Sequence, residues 1–152
     1  MKRAVRLPIN ALLLPLVLAS ATTHAEDISG VWYGVAVDTL GDPNYDHQTV
    51  LAIAASPQTS ASKVTYIYPA MGVTCRSDLI FNNVQTIGAL PNVKRVWTFD
   101  DETQTGCDKG TVRVTASLNI YGQLNSIYFE WIYINGQVLN VGTLERVDLP
   151  LP

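Results

Sequence analysis

The chain has 152 residues, two cysteines and a formal net charge of −3, a length that suits one hydrophobic core of ordinary size. Beyond residue 25 the only basic residues are Lys63, Arg76, Lys94, Arg95, Lys109, Arg113 and Arg146, and they are scattered. A phosphate backbone needs a clustered positive footprint, so nucleic acid is not an expected partner.

The first element is not part of a fold. Lys2, Arg3 and Arg6 form a positive start, Leu7–Ala19 is an apolar run, and Thr23-His24-Ala25 offers a small-residue cleavage site. That order reads as a secretory signal peptide spanning residues 1–25. The apolar run falls short of the roughly 20 residues a membrane span needs, and no cysteine follows it to carry a lipid. The expectation is export of residues 26–152 to the periplasm or the medium, as one domain with no membrane span. Loss of the three basic residues takes the formal charge from −3 to about −6. An acidic surface suits solubility, or a basic protein partner. In an oxidising compartment Cys75 and Cys107 are expected to pair, because no C-x-x-C spacing supports a redox or metal role.

The opening strand runs over Asp27–Val37. Alternation puts Gly30, Trp32, Gly34 and Ala36 on one face and Val31, Tyr33, Val35 and Val37 on the other. The segment Ser29–Gly34, S-G-x-W-x-G, resembles the first strand of lipocalin-like and wider calycin barrels. The resemblance implies an antiparallel barrel closed at one end by Trp32, and a mouth that carries small apolar molecules.

Asp38–His47 is rich in Gly, Pro, Asn and Asp and reads as a loop. Asp42, Asn44 and Asp46 match the first three ligand positions of an EF-hand, but His47 stands where glycine is required and Ile53 where glutamate is. Asp42, Asp46 and His47 stay as candidate metal ligands beside the adopted reading, a solvated acidic loop with no metal or cofactor. His47 is the only histidine after residue 25, which argues against a histidine zinc site and a Ser-His relay.

Thr49–Ala54 and Lys63–Tyr68 read as a hairpin with a loose polar loop, Val64, Tyr66 and Tyr68 sharing one face. Tyr68–Leu79 is similar to a Tyr-Pro-small-Leu-Gly-Cys segment of small extracellular bacterial β-domains, with Met71 in place of the leucine and Cys75 two residues late. It is either a braced turn or a rim that touches ligand. Arg76–Phe81 is a strand, Asn82-Asn83 a turn, Val84–Leu90 a weak strand or loop, and Pro91-Asn92 another turn.

Val93–Phe99 places Val93, Arg95, Trp97 and Phe99 on one face. Arg95 there is either a cation–π element or an arginine snorkelling from the edge of the core. Asp100–Gly110 reads as a second acidic loop, a solvated hairpin tip; its three consecutive acids repel one another unless a cation or a basic partner intervenes, and calcium is the cation such a cluster suits. Cys107 would pin it to the Cys75 loop at the same end of the sheet. Thr111–Leu118 alternates cleanly, Asn119–Gly122 is a turn, and Val147–Pro152 has no regular pattern.

Leu124–Arg146 is the strongest hairpin. Asn135-Gly136 predicts a two-residue loop, with Ile134 opposite Gln137 and Trp131 opposite Asn140. Ile127, Phe129, Trp131 and Tyr133 fall on its core face.

Together these elements predict an all-β chain, a small antiparallel up-and-down barrel of about eight strands with one disulfide; a β-sandwich is the alternative. Three functions follow. The first is a non-enzymatic barrel holding a small apolar ligand, with Tyr66, Tyr68, Arg95, Trp97 and Tyr133 as candidate binding residues. The second is a protein-binding module of inhibitor or immunity type, using Asp38, Asp42 and Asp46, or Asp100, Asp101 and Glu102, against a basic partner. The third is a hydrolase using Glu130 and Asp78, which requires both carboxylates to face one cleft. The plain reading of Glu130 is an outward residue opposite Val141.

Overall fold

The computed structural model describes residues 28–89, 92–103, 106–117 and 124–148. The expected signal peptide, the expected 119–122 turn, Leu118 and the last four residues of the tail lie outside these residues. Within them, alternation dictates the architecture. Eight strands, β1 (Gly30–Asp38), β2 (His47–Ile53), β3 (Ser62–Tyr68), β4 (Val73–Ile87), β5 (Lys94–Thr103), β6 (Gly110–Ser117), β7 (Ser126–Tyr133) and β8 (Val138–Arg146), each pair antiparallel with the next. β1 also pairs with β8, so the sheet closes into an up-and-down barrel rather than a sandwich. Closure leaves no unpaired edge.

Along most of the strands every second residue points inward. Trp32, Leu51, Val64, Leu79, Phe99, Val114, Phe129 and Leu144 form the buried core. Lys63, Arg76, Asp78, Arg113 and Glu130 belong to the alternate, outward set, the reverse of the apolar outer band of a membrane barrel. No helix among the described residues is long and apolar enough to cross a membrane. Gly34 sits where β1 and β8 approach closely; a Cβ there would run into the Thr143 carbonyl and Leu144.

The odd strands run toward one end and the even strands away from it. One end, the floor, is where the odd strands begin and the even strands finish. There Trp32 is fully buried, donates its indole N–H to the Ile28 carbonyl at 2.8 Å, and carries the Arg146 guanidinium 4.8 Å from its ring centre. The Cys75–Cys107 disulfide joins β4 to the β5–β6 connection at the opposite end.

Three local expectations differ from the structure. Asn82-Asn83 is not a turn: β4 continues through it, and Asn82 is the extra residue of a β-bulge between the Phe81–Phe99 and Asn83–Thr98 pairs. A bulge absorbs one residue without ending the ladder, and the Asn82 amide reaches the Asp100 carboxylate at 3.4 Å. The run Asp100-Asp101-Glu102 is not a solvated loop either. It completes β5, so alternation turns Asp101 inward while Asp100 and Glu102 face out, and the three charges are not stacked together.

The last hairpin has a three-residue loop. Gly136 N–H donates to the Tyr133 carbonyl and Tyr133 N–H to the Gln137 carbonyl, both at 2.8 Å, and only Gly136 has a positive φ (84°). Asn135 instead spends its side chain on the Gln137 N–H at 2.9 Å. The expected Ile134–Gln137 pair is therefore absent. A second irregularity at Leu139 restores the register, and Trp131 does face Asn140.

Candidate ligand-binding site

In this topology the open end is built from the last residues of odd strands and the first residues of even ones. Those positions enclose a cavity of ≈ 570 Å³ that opens to solvent. Tyr66 and Tyr68 come from the end of β3, Trp131 and Tyr133 from the end of β7, and Leu139 and Asn140 from the start of β8. Tyr45 from a 3-10 turn (Pro43–Tyr45), Met71 from the β3–β4 turn and Val73 at the start of β4 add apolar surface, and both disulfide cysteines lie in the wall. Asp38 and Asp108 supply the charged rim.

Beneath the aromatic wall lies a buried polar cluster. Asp101, 2% exposed, accepts hydrogen bonds at one oxygen from the Tyr66 hydroxyl (2.7 Å) and the Trp131 indole N–H (2.9 Å). Its other oxygen has no hydrogen-bond partner among the described residues. Burial, and then the Asp101 charge and its hydrogen bond, push the Tyr66 phenol well above its ordinary range. Tyr68 is pushed up to about 12, first by burial and then by Asp101 and Asp108. His47 begins β2 and points inward, 1% exposed, its ring centre 5.1 Å from Tyr66 and 4.8 Å from Tyr68. Burial lowers its pKa, opposed by the Tyr45 carbonyl beside Nδ1 and by Asp46.

The structure brings Tyr66, Tyr68 and Tyr133 together in the cavity wall. Arg95 and Trp97 fall elsewhere. They come early in β5, an odd strand, so they lie toward the floor; Trp97 is buried in the core, against the expectation that it would line the mouth. Asp101, expected on an acidic surface patch, lies inside instead, and sequence reasoning did not single out Leu139 and Asn140 at the start of an even strand as lining residues.

The metal candidates do not converge. An Asp42 oxygen accepts from Asn44 N–H, an Asp46 oxygen from Asp38 N–H, and His47 turns into the barrel. Among the described residues no group of three His, Cys, Asp or Glu side chains could hold a metal ion. The two carboxylates considered for hydrolysis share no cleft. Both face outward, with β5 and β6 between their strands, roughly 14 Å around the wall. Asp78 lies 3.5 Å from Lys63, and Glu130 is held by Arg113, whose Nη2 donates at 2.7 Å, opposite Val141.

No family model, no curated protein and no solved structure matches the chain.

Proposed function

We propose that this is an exported, non-enzymatic binding protein of lipocalin-like design that takes a small ligand at the open end of its barrel. The observation that carries this reading is the cavity of ≈ 570 Å³ between Tyr66, Tyr68, Trp131 and Tyr133. It lies within the range of about 300–1,000 Å³ that small-molecule sites occupy, and it combines mostly apolar walls with a few placed polar groups. The burial of Trp32 at the far end, with its indole N–H held by the Ile28 carbonyl, supports the lipocalin-like comparison.

The protein-binding alternative draws on the acidic surface, but its two proposed patches are spent differently. Asp101 is inside the barrel, and Asp38, Asp42 and Asp46 tie down their own loop through backbone N–H groups.

The test is native mass spectrometry of the secreted protein, purified without denaturant, together with titration of the neutral fluorescent probe N-phenyl-1-naphthylamine. A retained small molecule, or probe binding abolished by Met71→Trp at the exposed lip of the cavity, is the expected result. A bare mass together with probe binding unaffected by Met71→Trp would overturn the reading.

A further inference from the structure

We infer that the ligand taken at this mouth is a cation: an amine or quaternary ammonium group carried on an apolar body. The inference rests on the binding reading above and names the class of molecule that site selects.

The cavity wall carries aromatic rings in unusual density for its size. Tyr45, Tyr66, Tyr68, Trp131 and Tyr133 all contribute, and the electron-rich face of an aromatic ring attracts a positive group. The charges around the rings have one sign. Asp38 and Asp108 stand at the rim, and no described residue of the lining is a lysine or arginine. Behind the rings, Asp101 places a carboxylate against Tyr66 and Trp131.

That carboxylate polarises both rings. Its hydrogen bonds draw the phenol and indole hydrogens toward the acid and leave the ring faces richer in electrons. It also has an oxygen with no described donor, in a residue that is almost fully buried. An anion in so dry a site is stabilised by any positive charge brought near it. The field is felt at the mouth itself, since Asp101 and Asp108 both raise the Tyr68 pKa, after burial. An anionic ligand would meet this field as repulsion, and a neutral one would gain nothing from it.

The ligand therefore needs a single positive head that sits among the rings and an apolar remainder that covers Met71, Val73 and Leu139. The cavity has room for both.

The test compares three soluble molecules of one shape: 2-phenylethylammonium, 2-phenylethanol and 3-phenylpropanoate, titrated calorimetrically near neutral pH into the protein with its disulfide intact. The amine should bind roughly tenfold or more tightly than the alcohol, and the carboxylate most weakly. Asp108→Asn, a change at an exposed rim position, should narrow the amine-to-alcohol ratio by roughly threefold. If the alcohol or the carboxylate binds as tightly as the amine, or if none of the three binds while N-phenyl-1-naphthylamine still does, the cation inference falls and the binding site stands. If neither the three molecules nor the probe binds, both fall.

Discussion

Tyr66 and Asp101, 35 residues apart in the sequence, meet inside the barrel through a hydrogen bond of 2.7 Å. The contact ties β3 to β5 across β4, and Trp131 on β7 donates to the same oxygen at 2.9 Å. A buried hydrogen bond to a carboxylate contributes about 1.5–3 kcal/mol, so Tyr66→Phe should lower unfolding free energy by about that amount. Asp101→Ala strands two buried donors and should cost about 2–5 kcal/mol. Urea denaturation of both variants and of their combination checks this. Because the two residues act as a unit, the double variant should lose less than the sum of the single losses.

The same network sets the alkaline limit of the fold. Tyr66 and Tyr68 have folded pKa values raised above the usual 10, that of Tyr68 to about 12, with burial as the first cause and the Asp101 charge as the next. Below pH 10 both states hold their phenolic protons and this pair contributes no slope. Above it the unfolded chain loses protons that the native chain keeps, so stability falls as pH rises from about 10 through 12. Phenolate absorbance during an alkaline titration should show these two tyrosines ionising last, together with unfolding. An unfolding transition unchanged between pH 9 and 12 would count against it.

On the acid side the group to watch is His47. Its folded pKa lies below the usual 6.5, with burial as the main cause. The native state keeps the ring neutral while the unfolded chain protonates it, so stability is full above pH 6.5 and declines as pH falls through the folded value. His47→Phe keeps a ring between Tyr66 and Tyr68 and should remove this part of the decline. Thermal melts of both proteins between pH 7.5 and 5 should run parallel only if the assignment is wrong.

The fold was legible because most strands carry a clean inward set, as in Val112, Val114 and Ala116, or Ile127, Phe129 and Trp131. Those sets fix which face is the core, and short connections then leave little choice but neighbour-to-neighbour pairing. What failed was local polarity. Asp100-Asp101-Glu102 reads as solvated until pairing is known, because only the partner strand reveals that Asp101 has Tyr66 and Trp131 as donors. Asn82 fails for a related reason: a bulge and a turn use the same residue types. The mouth itself was half legible. Tyr66, Tyr68 and Tyr133 were found because they are aromatic and inward, but choosing among inward aromatics needs strand direction. Trp97 is as aromatic as they are, yet it precedes the midpoint of an odd strand and so lies in the core.

The disulfide links stability to the mouth. Cys75 begins the inward face of β4 and Cys107 lies in the connection after β5, 32 residues on, and both border the cavity. In the chain-entropy account, closing a loop of that length stabilises the native state by about 3–4 kcal/mol. The Cys75→Ser, Cys107→Ser double variant should therefore shift the urea midpoint downward by a corresponding amount. It should also weaken probe binding more than the stability loss alone predicts, because the wall that holds Tyr68 and Met71 over the cavity is no longer tethered to the β5–β6 connection. Measuring affinity well below the unfolding midpoint separates the two effects. Unchanged affinity in a folded double variant would mean that the bridge braces the fold without shaping the site.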